Sequence, residues 1–289
     1  MNSKIKILIV ITLFLSIGKI QAQDYTMFWN AYQLLNPASV GVQQKYNAAL
    51  ICKEQLVGLD GAPYYLNGLF NMKLDVIHGG AGISYNHSKI GFITTNGANV
   101  DYSYHINLKN NRIIGLGISG GLSYQKTDVS NFIIPPIGGS DPLLQINDKL
   151  YLLNYRFGFY YSSNHLELGV SSSHYKNVDY ENLAINNNNR AWIMGSYRFG
   201  IGEILDISPK VLIDATELKY NSLSSALIVT YKKKFWTGVS YNTNNFYGLM
   251  AGFDIRNMIR IGCSFERSSS ALQKYSNGNF EFVLALLIK

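Results

Sequence analysis

The stretch Ala98-Asn99-Val100-Asp101-Tyr102-Ser103-Tyr104-His105-Ile106-Asn107-Leu108 decides the fold. Ala98, Val100, Tyr102, Tyr104, Ile106 and Leu108 share one face, and Asn99, Asp101, Ser103, His105 and Asn107 share the other. Alternation with a period of two is the signature of a strand with one apolar and one polar side. The next segment repeats it with small residues. Ile114, Leu116, Ile118, Leu122 and Tyr124 stand opposite Gly115, Gly117, Ser119, Gly121 and Ser123. At the C-terminus Phe280, Phe282, Leu284, Leu286 and Ile288 do the same, although Val283, Ala285 and Leu287 blur the second face.

Working outward, the same pattern marks strands at 44–53, 63–74, 79–87, 96–108, 112–124, 150–162, 164–174, 190–200, 208–216, 223–232, 234–242, 247–255, 258–266 and 279–289, about fourteen in all. Most run to roughly 9–13 residues, long for a globular strand and near the roughly 9–11 that a tilted strand needs to cross a bilayer. The gaps alternate between long (54–62, 88–95, 125–149, 175–189, 267–278) and short (75–78, 109–111, 163, 233, 256–257). The gap 201–207 is a longish one among the short, and 217–222 and 243–246 are shortish among the long. Outer-membrane barrels have short periplasmic turns and longer outer loops. The expected fold is therefore all-β, a closed transmembrane antiparallel barrel. Closure is required because lipid offers no partner to an unpaired strand edge.

Composition agrees. Of 289 residues only 15% are charged, 13% are aromatic and just two are cysteine. These values exclude a disordered chain and a disulfide scaffold. Residues 1–22 read as a secretory signal peptide. Lys4 and Lys6 precede the apolar run Ile7–Ile17, and Gly18-Lys19-Ile20-Gln21-Ala22 offers a small residue for cleavage. Its removal takes Lys4, Lys6 and Lys19 from the formal charge of +7, leaving +4. With the remaining basic residues scattered, apart from Lys232-Lys233-Lys234, no stripe for nucleic acid is present.

Residues 23–43 form a sticky, aromatic arm containing Phe28, Trp29, Tyr32, Leu34 and Leu35, with a turn at Asn36-Pro37. The arm is expected to dock against or inside the periplasmic mouth of the barrel, an extra strand being the alternative, and 44–289 to form the barrel itself. By parity the lumen receives Asp101, His105, Arg156, Glu167, Arg198, Asp214, Asp254, Arg260 and Glu281. Opposite charges among them could pair across the lumen, as a structural network or as a substrate-selecting constriction.

Several strings, in order along nearly the whole mature chain, resemble the PorP/SprF family of the type IX secretion system of Bacteroidota. They begin with Asn36-Pro37-Ala38-Ser39-Val40-Gly41 after the aromatic arm. The next is Lys53-Glu54-Gln55-Leu56-Val57-Gly58, leading to the turn Gly61-Ala62-Pro63, where Lys53 replaces the family's usual Arg and Leu56 its Trp. Gly80-Ala81-Gly82-Ile83-Ser84-Tyr85, Gly158-Phe159-Tyr160-Tyr161 and Phe235-Trp236-Thr237-Gly238 follow. Gly278-Asn279-Phe280-Glu281 lacks the family's His, so no role of that His transfers. The resemblance implies an accessory outer-membrane barrel that supports secretion or surface anchoring of a large adhesin or gliding-type protein. Its implied partners are periplasmic ring proteins of the secretion system, a secreted surface protein and outer-membrane lipid. The reading from residues alone also allows a passive channel for a small solute.

No chemistry is visible. Asp101 and His105 share a face but stand four residues apart, roughly 13 Å along a strand. The five histidines show no metal spacing, and no nucleophile elbow, phosphate loop or dinucleotide fingerprint is complete. No cofactor is implied. A serine–histidine–asparagine site on the outer wall is not excluded by residue types alone. Cys52 and Cys263 fall on the first and thirteenth strands, about 9.5 Å apart, too far for a disulfide, and read as small lipid-facing residues. Ile133-Ile134-Pro135-Pro136-Ile137 in the longest loop and Asn186–Asn189 are the remaining unusual tracts.

Overall fold

The computed structural model describes residues 25–128, 149–177, 189–216, 219–269 and 274–288. The expected signal peptide, most of the loop 125–149 with its Ile-Pro tract, and most of the Asn tract lie outside the described residues.

The first seven strands are β1 (Tyr46–Glu54), β2 (Tyr64–Leu74), β3 (Gly79–Ile90), β4 (Ile93–Leu108), β5 (Arg112–Thr127), β6 (Lys149–Ser162) and β7 (Leu166–Asn177). Then come β8 (Arg190–Tyr197), β9 (Phe199–Ile201), β10 (Leu205–Thr216), β11 (Lys219–Tyr231), β12 (Phe235–Asn242), β13 (Phe246–Ile255), β14 (Ile259–Ser268) and β15 (Asn279–Ile288). Each pairs antiparallel with its neighbours, and β15 returns to β1, from Tyr46 opposite Ile288 to Glu54 opposite Phe280. The result is a closed barrel of fourteen strands, with the three-residue β9 paired to β10 alone. β9 continues the register of β8, with Ser196 opposite Lys210 and Phe199 opposite Ile207. The interruption falls beside Pro209, which has no N–H to give to a ladder. What alternation presents as one strand over 190–200 is thus two pieces.

The outer face is apolar wherever the parity argument placed it. Leu249, Val100 and Leu122 are 66%, 65% and 60% exposed, which suits contact with lipid chains and not with water. Aromatic residues cluster near both rims. Tyr197 packs on Phe199 at one end, while Tyr124–Tyr151 and Tyr241–Tyr247 pack at the other, where amphipathic rings suit half-wet surroundings. Cys52 and Cys263 both stand opposite Phe282 from either side and are free thiols.

One end of the barrel is closed by turns of three or four residues at 75–78, 109–111, 163–165, 202–204, 232–234 and 256–258. In three of these turns two consecutive residues are left-handed: Asn110-Asn111, Lys232-Lys233 and Arg256-Asn257. That is what a tight type I′ hairpin demands, and Asn tolerates it better than Lys or Arg. The other end carries the longer connections, with two differences from expectation. β11 starts at Lys219, opposite Thr216, and not at 223. The loop expected at 88–95 is only Gly91-Phe92, because β3 and β4 continue pairing through Lys89 opposite Thr94. Above the lipid the outward side chains need not be apolar, so Lys89 and Thr94 hide a strand that the ladder still holds. His87 Nδ1 lies 2.8 Å from Asn96 Oδ1 in this extension.

The arm folds into short helical turns, Phe28–Ala31, Tyr32–Leu35 and Pro37–Ser39, rather than a strand. Its Met27, Phe28, Ala31, Ala38 and Val40 are at most 1% exposed. Met27, Phe28, Ala31 and Ala38 cluster with Ile51, Leu69, Tyr160, Met194 and Trp236 of the inner wall. Val283, Ala285 and Leu287 belong to the same cluster or pack on it. That explains why the inner face of β15 turns apolar after Glu281: Val283 and Ala285 share a core with the arm.

Candidate functional site

The arm and its seat bring together most of the polar chemistry inside the barrel. At the C-terminal end of the arm, Asn36 caps the turn that follows. Its Oδ1 accepts from Ala38 N at 2.9 Å, and Pro37 sits at the first helical position, where its fixed φ fits. The Asn36 amide donates to Phe159 O (2.9 Å) and Val170 O (3.4 Å), on the adjacent strands β6 and β7. This end lies in a bay of wall glycines. A Cβ on Gly117 would lie 2.1 Å from Ala38 N, and one on Gly158 would lie 2.0 Å from Asn36 Oδ1. One on Gly115 would lie 2.3 Å from Ala38 O, and one on Gly80 2.4 Å from Val40 O. Backbone meets backbone here, so no larger residue fits. Ser103 Oγ donates to Ala38 O (3.0 Å), and His105 Nε2 reaches Val40 O (2.9 Å). Gly41, at φ +69°, turns the chain toward β1 and donates to Asn71 Oδ1 (3.2 Å).

The middle of the arm is held by a charge cluster. Arg156 pairs with Asp101 at 2.8 Å and shares Ser119 Oγ (3.0 Å). It also donates to the carbonyls of Gln33 and Leu34, orphaned at the end of a short helix. Gln33 Nε2 donates to Asp101 Oδ2 (2.9 Å), and Gln33 Oε1 accepts from Asn71 (2.8 Å). At the arm's start, Glu281 accepts from Thr26 N (2.8 Å) and Met27 N (3.0 Å). Lys53 donates to Thr26 Oγ1 and to Glu266 Oε2, both at 3.1 Å, and stands 3.7 Å from Glu281. Glu281 is the third residue of β15 from the long-loop end. The arm therefore runs through the lumen instead of stopping at one mouth.

The other parity-derived residues serve separate places. Glu167 accepts from Gln43 Nε2 (2.8 Å) near the short-turn end. Asp254 and Arg260 form a two-bond pair at 2.9 and 2.8 Å. Asp214 pairs with Arg190 at the far rim. Arg198 is exposed at the short-turn mouth. Pairing across the lumen, allowed by the sequence, is not seen among the described residues. The arm fills the middle, so wall charges pair with near strands or with the arm itself. Asp101 and His105 likewise serve different arm atoms, not each other. Among the described residues no three His, Cys, Asp or Glu side chains converge as a metal site.

A family model described as Type IX secretion system membrane protein PorP/SprF matches residues 17–286. The chain belongs to the PorP/SprF family. No curated protein sequence matches it. Among solved structures, the CymD monoaromatic hydrocarbon channel is similar with a TM-score of 0.52 and 11% identity, over 89% of this chain and 91% of that one. The toluene transporter TbuX of Ralstonia pickettii gives 0.50 and 10%, over 90% and 94%. At such identities the likeness is one of fold. Family and fold together place this PorP/SprF barrel in the outer membrane, and they are those of a secretion-associated barrel, not of an enzyme class.

The family-motif residues divide between two places. Asn36, Pro37, Gly41 and Lys53 belong to the arm and its seat. Gln55, Gly61 and Pro63 shape the 55–63 loop at the other end. There Gln55 N donates to Pro63 O (2.8 Å), and Gly61, at φ +74°, accepts from Gly91 N (3.0 Å). The glycine bay was not singled out from sequence. Its signal is glycine recurring at inward positions of successive strands, 115 and 117 on β5, 158 on β6 and 169 on β7.

Proposed function

We propose that this PorP/SprF barrel is an accessory component of the type IX system that supports secretion or surface anchoring of a large adhesin or gliding-type protein. In this reading a signal peptide at 1–22 directs export. The short-turn end faces the periplasm and touches ring components of the machinery, and the long loops, 125–149 above all, face the secreted partner. The observation that carries it is the lumen occupied by the chain's own arm. A barrel filled by Met27, Phe28, Ala31 and Val40 is suited to holding partners at its ends, not to passing solutes through its middle. The hydrocarbon channels that share the fold are similar in architecture alone, so they lend the channel alternative no chemistry.

A clean deletion followed by surface proteomics tests the proposal, with loss of one surface protein expected and unchanged display removing it. A mild-detergent pull-down read by mass spectrometry should recover secretion components. Conductance of the wild-type barrel in planar bilayers, altered by neutralising Arg156 or Arg198, would favour the channel instead.

A further inference from the structure

At the short-turn end the arm occupies only one side of the lumen, along β3 to β7. On the other side it leaves a cavity of about 470 Å³. Trp29 and Tyr32 of the arm form its inner end. Its wall comes from residues within a few positions of the short turns, among them Asn47, Lys210, Trp236 and Arg260. Arg198, Lys233 and Asn257 stand exposed around its opening.

Three features of the lining matter together. The first is an aromatic end with cations laid on it. Trp29 and Trp236 meet edge to face at 6.3 Å, Lys210 Nζ lies 5.7 Å above the Trp29 ring, and the Arg260 guanidinium lies 5.9 Å from Trp236. The second is charge. Arg260 is neutralised by Asp254, and the lining's other carboxylates are Glu167, which accepts from Gln43, and Asp206, against Arg198, Lys210 and Lys233. Lys210 donates to Ser196 Oγ at 2.9 Å, and among the described residues no acidic side chain lies within ion-pair distance of Lys210, Arg198 or Lys233. Lys232, Lys234 and Arg256 extend the positive rim on neighbouring turns. The third is unmet hydrogen bonding. Gln44 Oε1 and Asn47 Oδ1 are buried acceptors without donors, and Trp236 Nε1 is a buried donor without an acceptor. Buried polar atoms of both kinds call for a partner that also offers both.

We infer that this vestibule binds an acidic, extended peptide segment of a periplasmic protein, an inference that rests on the short-turn end facing the periplasm. Peptide carboxylates meet Arg198, Lys233 and Lys210. Peptide N–H groups meet Gln44 and Asn47, and a peptide carbonyl meets Trp236. A bare anion would leave the two orphan acceptors unmet. A lipid headgroup is kept out by the closed wall, since the cavity lies inside the barrel.

The test uses the full-length barrel in zwitterionic nanodiscs and a fluorescent peptide of alternating Glu and Gly, read by anisotropy. Emission from Trp29 and Trp236, two of the three tryptophans of the chain, gives a second reading. Saturable binding that weakens with salt is expected, as for any charge-steered contact. Arg198→Gln with Lys233→Gln should weaken it about tenfold, and Trp236→Phe a few-fold. Lys176→Gln at the opposite end should leave it unchanged. Both mouth residues are exposed and hold no part of the arm, so folding is not at stake. No saturable binding, equal binding of a Lys-Gly peptide, or an indifferent double variant would overturn the inference. So would displacement by inorganic phosphate at modest concentration, or stronger, mutation-sensitive binding to phosphatidylglycerol vesicles. The deletion experiment stands apart. A deletion phenotype without peptide binding removes the vestibule alone, and peptide binding without a phenotype removes the secretion reading alone.

Discussion

The two ends of the arm are fastened by different physics. The Asn36–Gly41 end sits backbone to backbone in wall glycines, where shape decides and nothing can be exchanged. The Thr26–Met27 end is held by one carboxylate, Glu281, inside a Lys53–Glu266–Glu281 cluster, where charge decides and geometry has some slack. Between them Arg156 joins wall and arm through Asp101 and two helix-end carbonyls. A steric fastening should fail abruptly with added volume. An ionic one should fail by degrees.

Arg156→Gln should have the largest effect, because it leaves a buried Asp101 without its counter-charge and releases both carbonyls. A loss of about 3–5 kcal/mol is expected, seen as an earlier transition in denaturant-induced unfolding of the refolded barrel. Gly117→Val comes next. The added atoms collide with the backbone of Ala38, at a cost of about 1–3 kcal/mol, and the arm end must leave its bay. Conductance should then appear in planar bilayers, and a silent, fully stable variant would show that the bay is not a fit. Asn36→Ala removes a cap and two wall contacts for about 1–2 kcal/mol, with faster protease cleavage near residue 36 as the readout. Glu281→Gln keeps an acceptor for Thr26 or Met27 and leaves Lys53 paired with Glu266. It should cost about 1 kcal/mol or less and keep the pore closed. A larger loss than for Gly117→Val would reverse the contrast drawn here.

An exposed ion pair at the short-turn rim sets the floor. The Lys73 ammonium, 2.8 Å away, holds the carboxyl of Asp75 below its ordinary range. Its small contribution is present above the unfolded carboxylate pKa and fades as pH falls through the depressed folded one. Lys73→Gln should return Asp75 toward its ordinary titration, followed by NMR, without moving the unfolding transition.

The wall was legible because lipid enforces alternation. A strand such as 98–108 must show its two faces, and Asp101, Arg156 and Glu281 fell inward by parity alone. Legibility ended where lipid ends. Above the bilayer Lys89 and Thr94 read as loop although the ladder continues, and beside Pro209 one apparent strand is two. The arm's stickiness was readable, its path was not. Its seat is made by residues with nothing to show, the glycines of β5, β6 and β7, and by apolar lumen residues such as Val283 that look like noise until the arm is seen against them. Partner choice for each charge also escaped the sequence, since the arm stands between the charges that might have met.

The contact from Thr26 to Glu281 spans 255 residues, nearly the full chain, and its carboxylate sits on the strand that shuts the ring against β1. The N-terminal anchor therefore does not exist until the C-terminal strand has been delivered and docked. Long-range closure of this kind comes late in assembly. Seating of the first residues thus marks a finished cylinder, and a truncated or unclosed barrel is left with its apolar leader loose and open to proteolysis.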